Sequence, residues 1–149
     1  MKSLTMSVFL FAFLLSCSSQ DIPSKKVPSV VLNTVVKNYP GNNEVDWKKV
    51  RSNYEAEIKI NDSTDITFQI DENGKILKQK QDISNSVIPS TVTSIITTDY
   101  AGYLIDDVEK LEISGNVYYQ VELETNGKKD LHLVFAPDGK LVEEVKYWD

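Results

Sequence analysis

The chain has 149 residues, 41% of them apolar and 26% charged, which is enough for one ordinary domain or two very small ones. The formal net charge is −6 and basic side chains are not clustered, which argues against nucleic acid as a partner because phosphate binding needs patches of Lys and Arg. Cys17 is the single cysteine, so an internal disulfide is excluded.

Residues 1–17 are predicted to be the signal peptide of a lipoprotein. Lys2 gives a basic start, and the apolar run 8–15 is too short for a membrane-spanning helix, which needs about 20 residues. The segment from Leu14 to Cys17 resembles a bacterial lipobox, which implies that Cys17 is acylated and becomes the mature N-terminus. We therefore expect an exported protein held in the cell envelope by its lipid alone. It would face the periplasm or the cell surface, with the outer membrane favoured over the inner one.

Residues 18–26 are polar and contain Pro23, which predicts a flexible tether. Two units are expected after it, over residues 27–86 and 87–149. Each opens with an apolar residue, a proline and a serine, and each continues with apolar residues at helical spacing.

In the first unit, Pro28 begins the predicted helix and Pro40-Gly41 ends it. A strand that carries Trp47 follows, and the pattern around Trp47 does not fix the side of the sheet that it faces. A fourth strand closes the unit after a hairpin.

The hairpin is the stretch that the chain contains twice, at a constant shift of 65 residues. In each copy apolar and polar residues alternate, which predicts two antiparallel strands with one buried face and one wet face. In the first copy we expect Ile58 opposite Phe68, and in the second copy His132 opposite Glu122. Identities fall at Tyr54/Tyr119, Glu57/Glu122, Asn61/Asn126, Asp65/Asp130, Gly74/Gly139 and Lys75/Lys140.

The second unit differs from the first in two respects. Residues 90–98 are rich in Thr and Ile, which are weak helix formers, but the repeat predicts a helix there. The helix repeats at a shift of 61 residues and the hairpin at 65, so four residues are inserted. We expect them to lengthen the turn near residues 114–116, and we expect a last strand over residues 141–148.

Each unit is thus predicted to be a helix followed by four antiparallel strands. A unit of about 60 residues has a marginal core of its own. The predicted fold is α+β: the two tandem units join edge to edge in one sheet of about eight strands. Both helices pack on one face, and the other face is open to solvent.

Several short motifs accompany this repeat. They are Val27-Pro28, Ile88-Pro89, Tyr39-Pro40-Gly41, Tyr54-x-x-Glu57, Tyr119-x-x-Glu122, Asn73-Gly74-Lys75 and Asp138-Gly139-Lys140. With these motifs, residues 27–149 resemble the PepSY-like family of bacterial extracytoplasmic lipoproteins, also described as beta-lactamase-inhibitor-like. The resemblance implies the fold and the location, and no assigned enzyme activity. Tyr100-Ala101-Gly102 departs from the Pro-Gly stop, and no inhibitory loop motif is identifiable, so lactamase inhibition is not carried over.

No catalytic group, metal site or cofactor is predicted. His132 is the only histidine, whereas a metal site needs several protein ligands, so we interpret His132 and Glu122 as a surface pair. Residues 71–74 begin like a calcium loop but lack its later acidic ligand, and they predict a hairpin turn.

The open sheet face is the feature that favours a function, because aromatic and polar side chains on an uncovered sheet can anchor a protein or peptide. The candidate binding residues are Trp47, Glu57, Tyr118, Gln120, Glu122, His132 and Val134. We therefore predict a lipid-anchored, non-enzymatic module, with an inhibitor-like role as one form, that binds an extracytoplasmic protein or peptide. A plain solvated face, a periplasmic carrier of a small ligand or ion, and a hydrolase with paired carboxylates stay open as alternatives.

Overall fold

The computed structural model describes residues 19–41 and 44–149. Those residues form two α-helices and one sheet of eight strands, in which each strand pairs antiparallel with the next one along the chain. The helices are α1 Ser29–Asn38 and α2 Ser90–Asp99. The strands are β1 Ser19–Asp21, β2 Asp46–Val50, β3 Asn53–Asn61, β4 Thr64–Ile70, β5 Ile76–Asp82, β6 Leu104–Ile113, β7 Asn116–Glu124 and β8 Leu131–Phe135. The predicted α+β class with one eight-stranded sheet is confirmed.

Both helices begin directly after a proline. Pro28 and Pro89 hold φ at −58° and −54°, and their carbonyls accept the first hydrogen bonds of α1 and α2. In α2 the Ser and Thr hydroxyls donate to carbonyls three or four residues earlier. The predicted helix over residues 90–98 is confirmed, because burial of Val92 and Ile96 against the sheet outweighs weak propensity.

The strand register places both helices on one face of the sheet. Pairing runs from Ala56 to Phe68, then through Gln79 and Glu112 to Val117, and paired residues share a face. Each helix covers its own cluster of buried side chains. The first cluster includes Val31, Val35, Trp47, Tyr54, Ala56, Ile58, Phe68 and Ile70. The second includes Val92, Ile96, Val108, Val121, Leu123 and Phe135.

The first hairpin has a register two residues away from the predicted one. Ile58 lies opposite Ile66, not Phe68, and Ala56 lies opposite Phe68. The Asn61 side chain accepts hydrogen bonds from Ser63, and a bulge near Asn61 shortens the turn. A shift of two residues keeps every side chain on its predicted face, which is why the hydrophobic pattern did not reveal it. In the second hairpin Glu122 lies opposite His132, as predicted.

The four inserted residues extend a hairpin and do not lengthen its turn, so that prediction was wrong. Lys49 pairs with Tyr54 in the first unit, and Lys110 pairs with Tyr119 in the second. Beyond these pairs, β6 and β7 each carry two further residues before the same short turn. Tyr118 lies in this extension, opposite Leu111.

Both ends of the described chain depart from the predictions. Residues 19–26 of the expected tether belong to the fold: β1 pairs with β2, and a 3₁₀ turn covers Ser24–Lys26. The expected last strand over residues 141–148 is absent, and only Leu141 forms a bridge, with Phe135. The sheet therefore has five strands before α2 and three after it. None of the helices in the described ranges has the length and hydropathy to cross a membrane.

Candidate functional site

The sheet face opposite the helices carries an open recess, with a volume of about 180 Å³, that lies mostly on the first unit and is also lined by Glu109 and Asp149 of the second. We call it the recess. Among the described residues that line it, seven are acidic and two are basic, so its formal charge is −5. The lining residues are Asp46, Lys48, Glu55, Glu57, Asp65, Thr67, Lys80, Asp82, Glu109 and Asp149.

Strand pairing brings six of the seven carboxylates together, because residues that lie opposite each other on β2 to β6 point to the same side. The seventh, Asp149, comes from the end of the chain. Lys48 Nζ lies 3.4 Å from Glu57 Oε2, and both side chains are partly exposed. The main-chain N–H of Asp65 donates to Asp82 Oδ2 at 2.8 Å. Burial raises the pKa of Asp82 even though this hydrogen bond favours its charged form.

In the second unit part of the same face is covered. Val142 N donates to Val134 O at 2.8 Å, and the chain then crosses the sheet. We call residues 141–149 the C-terminal segment. Beneath it Leu111 and Gln120 are fully buried, although both point away from the helices. The segment thus closes a second buried layer that has no counterpart in the first unit.

Trp148 is held through its main chain by side chains of the sheet. Gln120 accepts from Trp148 N at 3.2 Å and donates to Trp148 O at 2.9 Å. Lys80 Nζ donates to the same carbonyl at 2.9 Å. The amide of Gln120 therefore exchanges two hydrogen bonds with one residue, as an opposing strand residue does in an antiparallel pair.

The indole of Trp148 lies across the boundary between the units. Its N–H donates to Glu55 Oε1 at 3.2 Å, and Lys78 Nζ lies 3.7 Å from a ring centroid. Glu55 and Gln120 occupy the same position in the two copies of the hairpin. One residue of the C-terminal segment thus contacts equivalent positions of both units.

A buried ion pair lies below Trp148. Lys80 Nζ is 2.8 Å from Glu109 Oε1, and Gln120 donates to the other carboxylate oxygen. Burial raises the pKa of Glu109, and the contacts with Lys80 and Gln120 oppose that shift. Burial lowers the pKa of Lys78 to about 8, and the charge of Glu55 opposes it. Charged groups are tolerated here because each has a partner.

The structure separates the predicted binding residues into three groups. Glu57, Tyr118, Glu122 and His132 lie on the face opposite the helices and reach solvent, with His132 Nε2 3.1 Å from Glu122 Oε1. Trp47 is buried in the first helix-side cluster, so its assignment to the binding surface was wrong. Its opposite residue, Ala56, points to the helices.

Gln120 and Val134 face away from the helices as predicted, but they are not exposed, since the C-terminal segment covers that face. Tyr147 of this segment stacks on His132, with ring centroids 4.5 Å apart, and burial raises its pKa. The predicted lipidation site, Cys17, lies outside the described residues.

Sequence reasoning missed Lys78 and Lys80, which contact Trp148, and Glu109, which pairs with Lys80 below it. Two signals were present. Residues 141–148 do not alternate strictly, since Leu141 and Val142 are adjacent, which is poor for a half-buried strand. Glu55 also stands where the second copy has Gln120, a difference on the outer face that core packing does not require.

In the described part of the chain, no group of His, Cys, Asp or Glu side chains is arranged to hold a metal ion. The carboxylates of the recess instead contact lysines, amides and main-chain N–H groups.

Comparisons with known proteins agree with this architecture. A sequence model of the family described as "Putative beta-lactamase-inhibitor-like, PepSY-like" matches residues 14–78 and 54–143. The comparison with curated proteins found no match.

Solved structures give the same fold at low sequence identity. A DUF2874 family protein from Bacteroides uniformis is 21% identical, with a TM-score of 0.71 over 78% of this chain and 86% of that one. A BLIP-like protein from Bacteroides fragilis is 22% identical, with a TM-score of 0.64 over 78% and 83%. A protein from Bacteroides eggerthii described as "putative periplasmic" is 14% identical, with a TM-score of 0.71 over 78% and 86%.

Proposed function

Because the chain belongs to the PepSY-like, beta-lactamase-inhibitor-like family, we propose that it is a non-enzymatic binding module of the cell envelope. Its recess would bind an extracytoplasmic protein or peptide. The lipobox-like segment and the periplasmic description of one structural relative support that location. Acylated Cys17 would hold the protein at a membrane, and the outer membrane is favoured over the inner one. The inhibitor-like family description and the BLIP-like relative support a protein partner.

The observation that carries the proposal is the open recess with its formal charge of −5. Side chains from five neighbouring strands, β2 to β6, present carboxylates on a rigid sheet, so a partner binds without ordering a loop. The charge selects a partner segment with basic side chains and speeds its association at low salt. Two carboxylates of the recess are repeated at the 65-residue shift: Glu57 as Glu122 and Asp65 as Asp130.

The alternatives are less well supported. A hydrolase would use carboxyls with raised pKa as acids, but the two such groups in the recess are held in other contacts. Glu109 pairs with Lys80, and Asp82 accepts from the main chain of Asp65. A carrier would need a deep pocket between helices and sheet, where Val31, Ile58 and Val92 are fully buried.

Photo-crosslinking tests the binding function. A benzoylphenylalanine is placed at Thr67 in the recess or, as the matched control, at the exposed Thr97 on α2. We expect an envelope protein or peptide to crosslink from Thr67 and not from Thr97 in intact cells.

Charge reversal then tests the mechanism. Glu57→Lys should abolish the adduct at Thr67, whereas Glu72→Lys, in an exposed turn, should leave it unchanged. Equal adducts from both positions, or an adduct that survives Glu57→Lys, would contradict binding at the recess.

A further inference from the structure

We propose that the cleft filled by Trp148 is a binding site for a tryptophan-bearing peptide of a partner protein, and that the C-terminal segment occupies it as an internal competitor. This inference rests on the proposed use of this sheet face for peptide binding, and it adds the class of ligand. We call this site the tryptophan cleft. The residues that contact Trp148 there are Glu55, Lys78, Lys80 and Gln120, and His132 beside them stacks on Tyr147.

The C-terminal segment is bound in the manner of a peptide ligand. After the bridge at Leu141 it adds no strand to the sheet. It is held by sheet side chains that contact its main chain and its rings, chiefly Gln120 on the Trp148 backbone. Contacts to a main chain can be made to any peptide, whereas pockets for side chains provide specificity.

The ring contacts specify tryptophan over other residues. Glu55 accepts a hydrogen bond from the indole N–H. A Phe ring has no donor, and the donor of Tyr is a hydroxyl at a different position on the ring. Lys78 lies over the face of the ring, and cations bind indole best among aromatic rings. An aromatic residue preceding the tryptophan would take the place of Tyr147 on His132. The expected ligand is therefore an extended peptide with a Tyr-Trp pair.

The position of the cleft connects it to the recess. Three residues of the recess also belong to the surroundings of Trp148. Glu55 accepts from its indole N–H, Lys80 donates to its carbonyl, and Glu109 accepts from Gln120, which holds its main chain. A partner whose basic segment lies in the recess could thus extend into the cleft once the C-terminal segment leaves. Because the segment is attached, its high effective concentration limits binding to partners that engage both places.

The first test uses the intact chain. It contains two tryptophans, so labelling with 5-fluorotryptophan gives one ¹⁹F resonance from Trp148 and one from Trp47, which is buried below α1. An unlabelled peptide with the sequence of residues 143–149 should shift the Trp148 resonance toward its solvent-exposed position. The Trp47 resonance should stay in place and report that the core is intact.

The second test weakens the competitor. A fluorescein-labelled form of the same peptide should bind the full-length Trp148→Ala variant about tenfold more tightly than the unaltered chain. A peptide with alanine for the tryptophan should lose at least about tenfold in affinity. Thr97→Ala, on the opposite side of the molecule, should change nothing.

Three results would overturn the proposal. One is a Trp148 resonance that does not move at saturating peptide while Trp47 reports a folded chain; this measurement stands even if Trp148→Ala fails to fold. Another is equal binding of the peptide that lacks tryptophan. The third is exchange of C-terminal segments between copies, seen as a dimer in mixed-label samples, which would make a second copy the occupant. Crosslinking from Thr67 is independent of these results, so failure of the cleft and failure of the recess are distinguishable.

Discussion

The two units share their helix side and differ on the opposite side of the sheet. On the helix side, Ile58 and Leu123 hold equivalent positions and both are fully buried. Each lies under a helix that begins after a proline and buries two valine or isoleucine residues. Helix-to-sheet packing is required in both units, since neither helix would be stable in water by itself.

On the other side, equivalent positions carry different chemistry. Glu55 corresponds to Gln120, and Thr67 corresponds to His132. In the first unit Glu55 and Thr67 line the charged recess, and Glu55 also accepts from the Trp148 indole. In the second unit Gln120 is buried below the C-terminal segment, whereas His132 reaches solvent. The two units therefore share the layer between helices and sheet, which folding needs. They differ on the opposite side of the sheet, which is mostly open in the first unit and partly covered in the second.

The largest expected effect tests the shared layer. Ile58→Ala and Leu123→Ala should each lower the free energy of unfolding by about 2–5 kcal/mol, because each leaves a cavity in a closed core. Urea unfolding measures both. Leu104→Ala, at a side chain that is 69% exposed, should stay within about 0.5 kcal/mol. If only one of these two variants lost unfolding free energy, the two cores would not be equivalent.

A smaller effect is expected at the turn that both units share. Gly74 and Gly139 have φ of 84° and 89°, and a Cβ at either would come within 2.9 Å of α1 or α2. Gly→Ala should cost about 2 kcal/mol at each site, and more at Gly139, where the nearest obstacle is the Thr91 carbonyl, whereas at Gly74 it is the Val30 side chain. Gly127→Ala, with φ of 78° and open space, should cost about 1 kcal/mol. A cost at Gly74 and Gly139 no larger than at Gly127 would show that the helices do not constrain these turns.

The smallest effect concerns the covered layer and depends on pH. The pKa of Lys78 is lowered by burial from 10.5 to about 8, so the unfolded chain binds more protons between these values. Stability contributed by this group should therefore rise as pH increases from about 8 to 10.5. Lys78→Met removes the group, and the stability of the unaltered chain relative to this variant should increase by about 1 kcal/mol after solvent screening is allowed for. Urea unfolding at pH 8 and at pH 10.5 measures this difference. A stability relative to Lys78→Met that falls as the pH rises would contradict the burial of Lys78.

Most of the fold could be predicted from the sequence because the repeat supplies context that local patterns lack. The helix over residues 90–98 is an example: its Thr and Ile residues favour a strand, and only its equivalence to residues 29–38 predicts a helix. The site was predicted less well. Trp47 could not be placed on a face from its own strand, and its pairing with Ala56 decided the matter.

By itself the sequence determined the repeat, the order of helices and strands between residues 29 and 135, and the face to which each hairpin residue points. These follow from local periodicity, since a period of two residues assigns sides without knowledge of the partner strand. The tertiary structure alone decided that residues 19–21 join the sheet edge and that residues 141–149 cross the opposite face. That crossing depends on Gln120, Lys80 and Glu55, which lie far from Trp148 in sequence, and no local pattern encodes contacts of that separation.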